Sequence, residues 1–209
     1  MTARRTVALE LIRDRAHYSE VVMGAIARAK VSVWIATANV KGLRVEAPVG
    51  TRARARRAYV SVLEVFDSLA TRGVELRMLH AGVPSRAFRE DLRAQKRLLE
   101  GGLEMRRCPR VHLKMIAVDG AELYLGSANF TGAGLGAKGE HRRNFEAGVL
   151  TDDDVLLDEM QAAFDAIWSG RECRGCALRA VCPAPIDTLV GGRAKTPLRP
   201  LARSLKSAR

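Results

Sequence analysis

The sequence predicts an α/β fold, and three observations carry that expectation. Residues 31–79 read as strand, helix, strand, a unit that calls for parallel pairing under a helix layer. An apolar hairpin centred on Asp119-Gly120 adds antiparallel strands. Residues 152–168 then read as a closing helix that opens on an acidic cluster, the charge that suits a helix N-terminus.

Taken in order, residues 5–29 predict a helix, with Val7, Leu9, Leu11 and Ile12 and then Val21, Val22 and Ile26 at mostly helical spacing. Residues 31–38 predict a strand, because Val31, Val33 and Ile35 alternate with Trp34 on the other face. Residues 41–57 contain Gly42, Pro48 and Gly50 and predict a loop. A helix over 59–71 stops at Gly73, and a strand follows over 74–79. Residues 85–101 predict a second helix, with Phe88, Leu92, Leu98 and Leu99 as its apolar members. An edge strand is expected over 103–107, and another strand over 145–150.

The most informative stretch runs from His112 to Asn129, HLKMIAVDGAELYLGSAN. His112 and Lys114 share one side of a predicted strand, while Leu113, Met115 and Ala117 point to the other. Leu123, Tyr124 and Leu125 make the return strand, so Gly126, Ser127 and Asn129 fold back towards His112. The hairpin thus gathers an imidazole, an ammonium, a hydroxyl and a carboxamide. A neutral imidazole can attack phosphorus and carry the phosphoryl group. The other three can hold phosphoryl oxygens and the charge that builds on them. No metal is required by that set.

This arrangement resembles the phospholipase D superfamily, whose pattern H-x-K-x4-D-x6-G-S-x-N is matched at His112, Lys114, Asp119, Gly126, Ser127 and Asn129. Asn144-Phe145-Glu146 is similar to the further N-x-E element of that family. The resemblance covers roughly residues 5–168. It implies a mixed sheet flanked by helices over a catalytic domain of residues 1–168, with the 41–57 loop bordering the site. It implies His112 as nucleophile, Lys114 and Asn129 as phosphate ligands, Ser127 as their support, and Glu146 orienting a catalytic histidine. Asp119 belongs to the same set, in a structural role at the turn.

The family chemistry uses two histidines, one to attack and one to protonate the leaving oxygen and then activate water. The chain has His17, His80, His112 and His141, and none of the other three opens a second H-x-K. His17 and His80 read as surface or packing residues, and His141 as an ordinary residue of an Arg-rich loop. A homodimer completes the site simply, since a two-fold axis brings His112 from each chain together.

Composition bounds the substrate. With 35 Lys+Arg against 23 Asp+Glu, the net charge of +12 favours a polyanionic partner, nucleic acid before an anionic membrane surface. Arg52, Arg54, Arg56 and Arg57 form one basic cluster. The tail forms another, with Arg193, Lys195, Arg199, Arg203, Lys206 and Arg209 against Asp187. Solvated surface and phosphate-backbone contact both fit these clusters, and the tail could also dock a partner protein. No apolar run approaches the roughly 20 residues of a membrane helix, and the first residues lack the apolar core of a secretory signal. A cytoplasmic protein acting on DNA or RNA is therefore expected. The alternatives are a phospholipid head-group enzyme or a catalytically silent nucleic-acid-binding module.

Residues 169–209 fall outside the family pattern. They begin with Cys173-x2-Cys176-x5-Cys182-Pro183, and the chain's fourth cysteine, Cys108, lies upstream. Four cysteines in a cytoplasmic protein point to metal ligation before disulfides. The spacing resembles the C-x2-C-x5-C segment of iron–sulfur nucleases of the CRISPR-adaptation and AddB types, in which one upstream cysteine completes a 4Fe–4S cluster. That resemblance implies Cys108, Cys173, Cys176 and Cys182 as ligands of such a cluster, with zinc as the alternative. The cluster would be a structural staple for the tail or a redox control beside the site, and the chemical step would not need it.

Overall fold

The structure, a computed structural model, describes residues 4–47, 50–56 and 58–188, without the side chains of Ala53 and Arg54. Arg57 and the tail cations from Arg193 onward lie outside the described residues.

A seven-stranded mixed sheet forms the centre, in the order β1-β9-β8-β7-β2-β5-β6. Its strands are β1 (Glu10–Arg13), β2 (Ser32–Thr37), β5 (Glu75–His80), β6 (Glu104–Arg107), β7 (Met115–Val118), β8 (Glu122–Gly126) and β9 (Ala147–Thr151). β2, β5 and β6 run parallel, while β7, β8, β9 and β1 continue the sheet antiparallel. The parallel half comes from the strand–helix–strand unit, whose helix α1 (Val62–Thr71) crosses over between β2 and β5. The antiparallel half comes from the hairpin. Asp119 and Gly120 both adopt positive φ (56° and 63°), and Ala121 N–H closes on Val118 O at 2.9 Å, as a tight two-residue turn requires.

Alternation splits the core between two faces. Ile12, Val33, Ile35, Ile116, Val118 and Tyr124 join one layer, with α1, α2 (Arg86–Arg93) and an N-terminal π-type helix (His17–Ala25). Ala36, Leu79, Met115, Ala117 and Leu123 face the other layer, built on α3 (Asp154–Trp168) through Leu157, Phe164 and Trp168. Asp153 caps α3 by accepting from Leu156 N at 2.8 Å, close to the predicted start.

Four expectations are corrected. The predicted 5–29 helix begins instead as strand β1. There Ile12 is 0% exposed and Leu11 66% exposed, a period of two that adjacent apolar residues conceal. The predicted 41–57 loop contains β3 (Arg44–Glu46) and a one-turn helix (Arg52–Ala55); β3 pairs antiparallel with β4 (Tyr59–Ser61), burying Leu43 and Val45. α1 starts at Val62 because Ser61 and Glu64 form a capping box, a feature worth about 1 kcal/mol. The long 85–101 helix breaks after Arg93 and resumes as a short turn, Leu98–Gly102, in which Gly101 has φ 115°.

Candidate active site

The antiparallel register between β2 and β7 sets Ala36 opposite Met115, and β8 sets Leu125 opposite the same residue. The end of β2, the approach to β7, the exit of β8 and the entry to β9 therefore meet at one edge of the sheet. That edge carries Thr37, Asn39, His112, Lys114, Ser127, Asn129, Asn144 and Glu146.

His112 is exposed and sits just before the sheet proper, since β7 begins at Met115 rather than at His112. A turn over residues 108–111 delivers it, with Val111 N–H donating to Cys108 O at 3.0 Å. Lys114 Nζ donates to the main-chain oxygen of His112 at 2.8 Å. Lys114 O in turn accepts from Gly126 N at 3.1 Å, so the two motif halves are tied by backbone. Glycine at 126 is enforced by Tyr124: a Cβ there would strike Tyr124 Oη and lie 2.8 Å from Ala147 O.

The carboxamide of Asn129 is oriented from β2 and the residues after it. Its Oδ1 accepts from Asn39 N at 3.1 Å and lies 3.3 Å from Thr37 Oγ1, whose single proton is shared with Asn39 O at 3.0 Å. Thr37 Oγ1 also accepts from Phe130 N at 3.0 Å, fixing the turn after β8. The Asn129 Nδ2 hydrogens then have no partner among the described residues and are available to an anion. Thr37 and Asn39 were not singled out from the sequence. Their role follows from β2 lying beside β7, which no local motif states.

Glu146 is held from both oxygens. Ser127 Oγ donates to Oε2, and Asn144 Nδ2 donates to Oε1 at 2.9 Å. Its main chain is pinned by Asp14, with Asp14 N donating to Glu146 O at 3.0 Å and Glu146 N donating to Asp14 Oδ1 at 3.3 Å. No hydrogen bond joins Glu146 to His112 within the chain.

Beside these groups lies an open pocket of about 220 Å³ lined by Asn39, Lys41, Asn129, Lys138 and Asn144 with residues 131–133. Neither lysine makes an ion pair among the described residues. The arrangement can offer two ammonium groups and amide donors to an extended anion.

Asp119 stands at the opposite edge. Its carboxylate accepts from Lys30 N, Val31 N and Ser32 N at 2.7–3.0 Å. Burial pushes its pKa up, but the three backbone donors outweigh that and leave it below the ordinary value. It ties the β7–β8 turn to the start of β2 and is remote from the reacting groups.

The other histidines are accounted for. His17 is fully buried, its Nδ1 2.9 Å from Asp14 O and its ring edge-on to Tyr124; burial lowers its pKa. His80 is buried with Nδ1 2.8 Å from Gly82 O, and burial drives its pKa down to about 4. His141 is exposed on a short helical turn, Glu140–Arg142.

The model of a family described as "Cardiolipin synthase, PLD-like domain" matches residues 22–168, most of the chain. This chain belongs to the phospholipase D-like family. Among solved structures, Nuc from Salmonella typhimurium, a phospholipase D family member, is 19% identical with a TM-score of 0.53, covering 78% of this chain and 95% of that one. NucT from Helicobacter pylori is 18% identical with a TM-score of 0.47, over 77% of this chain and 94% of that one. No curated protein matches the sequence.

The phospholipase D-like core ends with α3 at Trp168, and the cysteine segment packs against its far end. Cys108, Cys173, Cys176 and Cys182 all line one cavity, although Cys108 is distant from the other three in sequence. They are half-buried free thiols. Burial pushes the Cys108 thiol up, while the Leu178 N–H and the Arg110 guanidinium pull Cys176 down. Among the described residues, no group of three His, Cys, Asp or Glu side chains is arranged to hold a metal ion.

Of the predicted arginine cluster, Arg52 and Arg56 are exposed on and after the one-turn helix between β3 and β4, and neither lines the pocket. Arg54's side chain and Arg57 lie outside the described residues. Among the described residues no helix is long and apolar enough to cross a membrane.

Proposed function

We propose that this phospholipase D-like protein is a metal-independent phosphodiesterase, a nuclease that cleaves DNA or RNA through a phosphohistidine at a site shared by two chains. The observation that carries this reading is the meeting of His112, Lys114, Ser127, Asn129 and Glu146 at one sheet edge, beside a pocket furnished with Lys41 and Lys138. A wall of ammonium and carboxamide groups suits successive phosphates of a polymer better than an acyl chain.

In this mechanism an imidazole nitrogen of His112 attacks phosphorus in line. The P–N bond forms, the P–O bond to the leaving nucleoside breaks, and the partner's His112 gives its proton to the departing oxygen. That second imidazole, now neutral, takes a proton from water as the water oxygen attacks phosphorus and the P–N bond breaks. Lys114 and the Nδ2 group of Asn129 hold the non-bridging oxygens. Two features support a second chain at this site. Within one chain, His17 and His80 are buried away from solvent and His141 lies outside the pocket. Phe145, between Asn144 and Glu146, is 98% exposed, an aromatic surface that a partner chain would cover. Glu146 would then accept from the ring N–H of the partner's His112.

The test is cleavage of labelled single- and double-stranded DNA and RNA in excess EDTA, with His112→Ala as control. Cleavage that survives EDTA and vanishes in the variant is the expected result. Binding without cleavage would leave a silent nucleic-acid-binding module, and turnover of phospholipid alone would overturn the nuclease reading.

A further inference from the structure

Among the described residues, the four cysteines form a chemistry-bearing cluster that the phosphodiester site does not use. They are all the cysteines the chain has. Cys173, Cys176 and Cys182 come from a run of consecutive turns after α3, in which Cys173 N donates to Gly170 O, Cys176 N to Cys173 O and Arg179 N to Cys176 O at 2.9–3.2 Å. Cys108 comes from the end of β6, where its N–H donates to His80 O at 2.9 Å. Two distant parts of the sequence thus bring every thiol to the wall of one cavity.

The segment has little else to hold it. Past Trp168, Ile186 is the one buried apolar side chain among the described residues, whereas Leu178 and Val181 are exposed. An Arg179–Asp187 pair at 3.1 Å is itself partly exposed and contributes at most about 1 kcal/mol. Gly170 permits the fold-back: at φ 77° its Cβ would lie 2.6 Å from Asp187 N. A segment so poor in core needs a staple of another kind.

The cysteine spacing says which kind. The four thiols line one cavity with Pro109, Ile167, Leu178, Pro185 and Ile186. A structural zinc site usually offers two C-x2-C pairs or histidines, whereas here one C-x2-C pair is joined by a cysteine five residues on and by a lone upstream one. A cubane of iron and sulfide is held by four cysteine thiolates. Arg110, hydrogen-bonded to Cys176, offers positive charge to the net anionic group that four thiolates would make of it.

We propose that Cys108, Cys173, Cys176 and Cys182 bind a 4Fe–4S cluster that staples the C-terminal segment to the turn delivering His112. Cys108 begins that turn, through the Val111 N–H to Cys108 O hydrogen bond, and His112 is the next residue. The staple therefore fixes both the segment and the approach to β7. The inference stands apart from the nuclease reading, because its readouts require no turnover.

The full chain, purified anaerobically or reconstituted with ferrous iron and sulfide, is assayed for iron, acid-labile sulfide, zinc and the electron paramagnetic resonance of the dithionite-reduced form. About four iron and four sulfide per chain, with a signal from the reduced cluster, is the expected result. Zinc without sulfide would overturn the proposal, as would two disulfides or four freely alkylated thiols with no metal after reconstitution. Cys108→Ser is expected to lose most of the iron and to expose the segment after Trp168 to protease. Because that variant could misfold, the cluster is also stripped from the wild-type chain with oxidant and chelator. Release of the segment to protease with the sheet's circular dichroism retained supports the staple, and unchanged protease resistance contradicts it.

Discussion

Asn144 Nδ2 donates to Glu146 Oε1 at 2.9 Å, so the N-x-E element is internally braced: its asparagine holds the carboxylate that its glutamate presents. Ser127 grips the other oxygen. A carboxylate fixed from both sides can orient an imidazole without swinging away. Glu146→Gln is expected to lower kcat on labelled oligonucleotide by about 10²-fold, with KM little changed. Asn144→Ala should lose less, since Ser127 remains. Equal losses in kcat/KM through KM alone would assign Glu146 to substrate binding.

Lys41 and Lys138 line the pocket and make no ion pair among the described residues. Each should contribute one phosphate contact. Lys138→Ala and Lys41→Ala should raise KM for polymer and reduce the slope of log KM against log salt by about 1 each. Hydrolysis of a small phosphodiester with no second phosphate should be untouched. A matching loss on the small substrate would place these lysines in the reaction itself.

Asp119 accepts from three backbone N–H groups and stabilises the fold. Asp119→Ala should cost about 1–3 kcal/mol in urea unfolding, with kcat per folded molecule unchanged. Its folded pKa is depressed, so its contribution is present above the ordinary carboxylate pKa of about 4 and is lost as pH falls through the folded value. A variant as stable as the parent at pH 7 would show that those N–H groups find water at no cost.

His80 titrates in a different window. It is buried and held down to about 4, whereas an unfolded histidine takes its proton near 6.5. Stability is therefore full above about 6.5 and declines as pH falls to about 4, by on the order of 3 kcal/mol. His80→Gln should flatten that part of the stability profile, leaving the slope that buried His17 supplies in the same direction. A profile unchanged by the substitution would mean that His80 is hydrated in solution.

The spaced motif was legible because its residues are local: His112, Lys114, Ser127 and Asn129 lie on one hairpin, and a hairpin's register follows from its turn. The Ser61–Glu64 capping box was equally local, and S-x-x-E before an apolar run would have moved the start of α1 from 59 to 62. Strand β1 was hidden because an edge strand with Leu9 and Leu11 outward and Ile12 inward imitates a helix's apolar count. Thr37 and Asn39 could not be read at all, because their hold on Asn129 exists only once β2 pairs with β7. The gathering of Cys108 with the distant C-x2-C was suggested by composition, but its cavity is a property of packing.

The most direct test of the central claim is dilution of wild-type chains with His112→Ala chains. Coexpressed in equal amounts and pairing at random, they give wild-type pairs in about one quarter of dimers. If each site needs His112 from both chains, activity at equal total protein should fall to about one quarter of the wild-type value. Activity of about one half would mean that each chain cleaves on its own, and would contradict the shared site.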